Sequence, residues 1–186
     1  VVAAKIKALH GRQYRAATEI TITAGATQAI LTTILATVQP DDEVIVLDPC
    51  YDSYAPNIAL AGGTIVRVPL TPGTFRPDFA KISAAITPKT RLMIVNTPHN
   101  PACTVMSADD MAELAVLAEK HDLVVLSDEV YEHMVFDGAQ HESAAHFAGL
   151  AARAFIVSSF GKTFHVTGWK VGTVAAPAAL MAEFRK

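Results

Sequence analysis

The sequence has little of what several common protein classes require. Its 186 residues include only two cysteines, Cys50 and Cys103, with no CxxC pair. That is too few for a disulfide framework, and a reducing, cytoplasmic setting is the expectation. No apolar run reaches transmembrane length, and the N-terminal residues lack a signal-peptide pattern, so no membrane partner is expected. The net charge of -3 gives no reason to expect nucleic-acid binding. His141-Glu142 is followed by His146, a spacing of five where the zinc-binding helix motif has four, so no metal site is expected. There is no GxGxxG, the fingerprint of nicotinamide-binding folds. Gly161-Lys162-Thr163 resembles the end of a P-loop. The glycine that loop needs five positions earlier is Ile156, and no long helix pattern follows.

Aliphatic side chains are abundant. Apolar residues make up 51% of the chain and mean hydropathy is +0.31. This suits one domain whose sheet is covered on both faces, or a surface that meets a partner. β-like runs recur at residues 19–23, 43–47, 64–70, 91–96, 123–127, 154–158 and 171–176, several of them almost continuous in Val, Ile and Leu. Helical patterns lie between many of them. The clearest are 27–38 and 107–121, the latter opened by Ser107 with Asp109 and Asp110 in its first turn. The alternation predicts an α/β fold: a mostly parallel seven-stranded sheet with helices on both faces. About a dozen residues separate the last two runs, too few for a helical crossover. The last strand is therefore expected to be antiparallel, returning Lys170 to the sheet edge that carries Lys162. Helical patterns at both ends make the chain read as a piece of a longer polypeptide.

Ligands of open α/β sheets bind beyond the carboxyl ends of the strands, and the reactive residue types cluster there. Gly25-Ala26-Thr27 follows the first run and opens a helix whose N–H groups suit a phosphate; the plain alternative is a turn capped by Thr27. Tyr51 follows the second run and could stack on a flat heterocycle or pack in the core. Asn100, in Asn96-Thr97-Pro98-His99-Asn100-Pro101, could donate to a phenolate-like oxygen or form an Asn-Pro turn. His99 reads as a loop residue rather than an acid or base. Asp128 follows the fifth run, at the end of a buried strand, where a carboxylate needs a partner such as a protonated pyridine nitrogen, unless it is a turn cap. Tyr131 could share the oxygen with Asn100. Glu129 and Glu132 are expected to face solvent or other structure. Lys162 is placed for a Schiff base, with Ser159 and Lys170 as phosphate contacts. Together these residues suggest pyridoxal 5'-phosphate chemistry.

With Ser-Ser-Phe-Gly-Lys-Thr-Phe at 158–164 and Gly168-Trp169-Lys170-Val171-Gly172, nearly the whole chain resembles the large domain of a fold-type I, class I/II aminotransferase of the kynurenine and methionine aminotransferase-like branch. The resemblance implies a pyridoxal-phosphate-binding large domain over 1–186. It assigns the Schiff base to Lys162, the pyridine-nitrogen contact to Asp128, the oxygen contacts to Asn100 and Tyr131, and stacking to Tyr51. Phosphate contacts fall on Ala26, Thr27, Ser159 and Lys170, with Gly25 at the turn. It implies amino-group transfer from an L-amino acid to a 2-oxo acid, and a homodimer in the full-length protein. A cysteine-conjugate β-lyase, a non-catalytic regulatory module and an inactive structural piece are the alternatives. Many relatives carry Arg where this chain has Lys170, and Thr-Gly after Asn-Pro where it has Ala102-Cys103-Thr104. The arginine that binds the substrate carboxylate in the family matches no residue here.

Overall fold

The computed structural model describes residues 1–186. Seven strands, β1 (Ile20–Ala24), β2 (Glu43–Asp48), β3 (Thr64–Pro69), β4 (Thr90–Asn96), β5 (Val124–Asp128), β6 (Ala154–Ser159) and β7 (Val171–Ala175), form one sheet in the order β1-β7-β6-β5-β4-β2-β3. Each expected run is a strand, with edges moved by a residue or so. From β3 to β6 neighbours pair in parallel, and β7 is antiparallel to both β6 and β1. The reversal has the expected cause. Between β6 and β7 the chain fits only a one-turn helix, Phe160–Thr163, and a 3-10 turn, Thr167–Trp169.

The aliphatic runs divide by alternation. Ile45, Leu47, Met93, Val95, Val125 and Ile156 join one core with Met111, Leu114 and Leu117 of the helix Ala108–Lys120. Val44, Val46, Leu92, Ile94, Leu126, Phe155 and Val157 join the other, with Ile30 and Ile34 of the helix Gly25–Thr37 and Met181 and Phe184 of the helix Ala178–Phe184. Strands covered on both faces bury every side chain, so the sequence runs apolar without a break. The helix Ala108–Lys120 starts as expected. Ser107 is its N-cap and forms a reciprocal capping box with Asp110, whose two carboxylate oxygens each accept from Arg76 Nη2 at 2.9 Å. No helix is long and apolar enough to cross a membrane.

The helix expected at 27–38 begins two residues earlier, and Thr27 does not cap it. Gly25 takes φ +78°, a left-handed conformation that favours glycine. The backbone N–H of Ala24 is taken by Gln28 Oε1 at 2.6 Å, and no side chain caps the helix start.

Candidate active site

The alternation that sorts the aliphatics also aims the polar residues at the strand ends. Leu92 and Ile94 share a face with Asn96, Leu126 shares it with Asp128, and Phe155 and Val157 share it with Ser159. Neighbouring strand register brings these residues together: Asn96 pairs with Asp128, and Ser159 with Gly172. They open on a cleft of about 180 Å³. All ten residues singled out from the sequence line it: Gly25, Ala26, Thr27, Tyr51, Asn100, Asp128, Tyr131, Ser159, Lys162 and Lys170.

Asp128 is the cleft's buried charge, only 3% exposed. Burial pushes its carboxyl up to about 6, against the hydrogen bonds from the Tyr54 hydroxyl and the Val130 N–H, which favour the charged form. The Tyr54 hydroxyl donates to Asp128 Oδ2 at 2.6 Å, while the Val130 contact to Oδ1 is long at 3.4 Å. Burial also raises the Tyr54 phenol well above its ordinary value, with the Asp128 charge adding to the effect, so Tyr54 stays a neutral donor. Asp128 is thus more than a turn cap: it is a carboxylate with one strong partner and a face on the cleft.

Lys162 sits in the one-turn helix Phe160–Thr163, capped by Ser159, whose hydroxyl oxygen accepts from the Gly161 N–H at 3.1 Å. Thr163 Oγ1 donates to the Ser159 carbonyl at 3.0 Å, and Thr167 Oγ1 to the Gly161 carbonyl at 3.2 Å, so the turn is fastened at both ends. The Lys162 ammonium lies 5.5 Å from the centre of the Tyr131 ring. Tyr51 stands edge-to-face against Tyr54, with centroids 5.7 Å apart, and lines the cleft half-buried rather than filling the core.

At the other end the uncapped start of the helix Gly25–Thr37 meets β7. A Cβ on Gly172 would lie 2.5 Å from the Ala26 nitrogen and the Gly25 carbonyl carbon, so only glycine permits this approach. Lys170, in left-handed backbone at φ 53°, lies against Gly25: a Cβ there would sit 3.7 Å from Lys170 Cδ. Free N–H groups, the Thr27 and Ser159 hydroxyls and one cation make an anion cup. Cup, buried carboxylate, aromatic wall and amine together could hold a flat heterocycle carrying a phosphate. No arginine lines the cleft.

Sequence reasoning missed Tyr54, Asn96, Gly161 and Gly172. Asn96 is buried and joins two site residues: its Nδ2 donates to the Asp128 carbonyl at 2.8 Å, and its Oδ1 accepts from the Asn100 N–H at 2.7 Å. Its place at the end of β4, level with Asp128 on β5, was a usable signal. Tyr54 could have been suspected as a second tyrosine three residues after Tyr51, at the start of the next helix. His99 is buried, its pKa lowered by desolvation, and its Nδ1 accepts from the Ala102 N–H at 3.2 Å, which fits a loop-holding role.

Glu129 and Glu132 do not face solvent; both are buried against other structure. Glu129 takes the Ser127 hydroxyl, the Ala144 N–H and His141 Nε2 at 2.8–2.9 Å. Glu132 takes Lys5 at 2.6 Å and the Ser158 hydroxyl. A carboxylate on the back of a packed sheet survives only with partners like these.

Residues 2–186 match the family model for aminotransferase class I and II. The chain is 50% identical over 185 residues to the methionine aminotransferase of Escherichia coli K12, covering all of this chain and 48% of that protein. It is 45% identical to a probable N-succinyldiaminopimelate aminotransferase of Mycobacterium tuberculosis, over 99% of this chain and 47% of the relative. It is 37% identical to kynurenine–oxoglutarate transaminase 1 of Rattus norvegicus, over all of this chain and 46% of the relative. A solved structure of an Escherichia coli protein with methionine aminotransferase function superposes with a TM-score of 0.97 at 49% identity, over 99% of this chain and 49% of the other. The chain spans about half the length of the relatives it matches. The match along its whole length, carried by one continuous sheet, shows that the chain belongs to the class I and II aminotransferase family.

Proposed function

We propose that residues 1–186 are the cofactor-binding large domain of a pyridoxal-phosphate-dependent aminotransferase. The observation that carries this reading is the meeting of Lys162, buried Asp128 and the uncapped helix start Gly25–Thr27 on one cleft. The donor set fits the cofactor group by group. The N–H groups of Ala26 and Thr27, with Ser159 and Lys170, would hold the phosphate. Asn100 and Tyr131 would donate to the ring oxygen, Tyr51 would cover the ring, and Asp128 would keep the ring nitrogen protonated. A protonated pyridine ring, once bound, supplies an electron sink for negative charge developing at the substrate Cα.

The remaining chemistry belongs to the chain. Lys162 would hold the cofactor through its aldehyde carbon and, as a free amine, would move the proton from the substrate Cα to that carbon, as general base and then general acid. Tyr54 holds Asp128 in its ionised form, and Asn96 fixes the spacing of Asn100 and Asp128. The substrates are an L-amino acid and a 2-oxo acid, and the full-length protein works in the cytoplasm as a homodimer. The named activities of the relatives differ from one another, so they support the reaction class rather than one amino acid. The test is half-transamination by the full-length protein. Excess amino acid in single turnover should yield one equivalent of 2-oxo acid per Lys162, and none in Lys162→Ala. A full yield in that variant would refute the assignment.

A further inference from the structure

Behind the cleft, on the opposite face of the sheet, lies a second polar cluster centred on Glu132. The pleat puts it there. Ser159 shares the cleft face with Phe155 and Val157, while Ser158 shares the other face with Ile156. Glu132 follows Tyr131 directly and accepts the Ser158 hydroxyl; Ser158 precedes Ser159 directly. One carboxylate therefore fastens the backbone behind two cleft residues on different segments. Its other partners come from the helix Val2–His10, with Lys5 Nζ at 2.6 Å from Oε1 and His10 Nε2 at 3.7 Å from Oε2, and His133 Nε2 lies at 4.0 Å. Burial raises the Glu132 carboxyl, but the nearby His10 and the hydrogen bonds from Lys5 and Ser158 outweigh it and hold it at about 2. The carboxylate is charged and buried, with Oε1 held by both Lys5 and the Ser158 hydroxyl, so its geometry is stiff.

We propose that Glu132 is a positioning residue for the phosphate cup. By holding Ser158 from behind, it sets where Ser159 and the Gly161 N–H stand relative to Tyr131, and it ties that setting to the helix Val2–His10. This rests on the proposed pyridoxal phosphate function for its ligand, but not for its geometry. Glu132 touches neither phosphate nor substrate. It acts through Ser158, as an outer partner orients a ligating residue.

The test compares pyridoxal phosphate with pyridoxal, which lacks the phosphate, in the full-length protein. Loss of an outer partner commonly weakens a site by about 10–100-fold. Glu132→Gln and Ser158→Ala should lose at least about tenfold in affinity for pyridoxal phosphate, with pyridoxal affinity changed by less than about threefold. The double variant should be little worse than Glu132→Gln, because both act through one hydrogen bond. An equal loss for both ligands, or an unchanged ratio in a folded variant, would overturn the proposal. Should Glu132→Gln fail to fold, Ser158→Ala leaves Glu132 with Lys5 and His10 and carries the same expectation. The Gly161 amide resonance gives a ligand-free readout and should shift in Ser158→Ala. An unmoved Gly161 amide sinks the positioning claim even if the wild-type chain binds neither ligand, whereas wild-type failure to bind with a shifted Gly161 sinks only the proposed function.

Discussion

Removing the Tyr54 hydroxyl should move the titration of Asp128 upward, and the structure sets how far. Burial already lifts Asp128 from 3.8 to about 6, a penalty of about 3 kcal/mol on the ionised form. The Tyr54 hydrogen bond at 2.6 Å opposes that penalty. Hydrogen bonds to charged groups contribute roughly 1.5–3 kcal/mol, or about one to two pH units at 1.36 kcal/mol per unit. Tyr54→Phe keeps the ring and removes the donor, so Asp128 should titrate at roughly 7–8. The sign for stability follows. A carboxyl whose folded pKa lies above its unfolded value binds its proton more tightly when folded. Its stabilising contribution is complete below about pH 4 and is lost as pH rises to about 6. In Tyr54→Phe the loss should continue to about pH 8. A cation at the cofactor ring nitrogen would offset the penalty, so the ligand-bound protein should lose this pH dependence. Carbon-13 NMR of the aspartate carboxyls, with Asp128→Asn for assignment, reads the titration directly. Asp128 titrating at or below its wild-type pH in Tyr54→Phe would show that the Tyr54 hydroxyl does not favour the ionised carboxylate.

Two other perturbations address the anion cup. Gly172→Ala forces a Cβ to within 2.5 Å of backbone atoms of Gly25 and Ala26. Overpacking of this kind costs about 1–3 kcal/mol, which lowers Tm by roughly 3–10 °C in a chain of this size. Thermal melts should show that loss together with weakened pyridoxal phosphate binding, and an unchanged melt would refute the close approach. Lys170→Ala should weaken pyridoxal phosphate binding and leave pyridoxal binding nearly unchanged, with a smaller dependence on salt than wild type. Titration at two ionic strengths checks this, and an equal loss for both ligands would remove Lys170 from the phosphate site.

Much of the architecture was legible because a strand buried on both faces writes itself as an unbroken aliphatic run. Residues 91–96 and 154–158 read as strands for this reason, and the short gap before Val171 revealed the reversed strand. Most cleft residues were legible because they end or follow a strand, and Lys170 because it opens the reversed one. Tyr54 and Asn96 were harder to see because they act on other site residues rather than on a ligand, and such contacts have no fixed sequence spacing. Gly172 is a steric requirement between β7 and a helix start nearly 150 residues earlier, which only the folded chain brings together. Glu132 reads from sequence only as facing solvent or other structure, because its partners Lys5, His10 and Ser158 come from distant segments.

The central claim is that Lys162 is the amine of a pyridoxal phosphate site built from this cleft. Incubating the chain with pyridoxal phosphate, reducing with borohydride and mapping the peptides tests it most directly. One stable pyridoxyl addition per chain is expected, on Lys162, blocked by competing phosphate and absent from Lys162→Ala. An addition spread over surface lysines, or one that persists in full in Lys162→Ala, would contradict it.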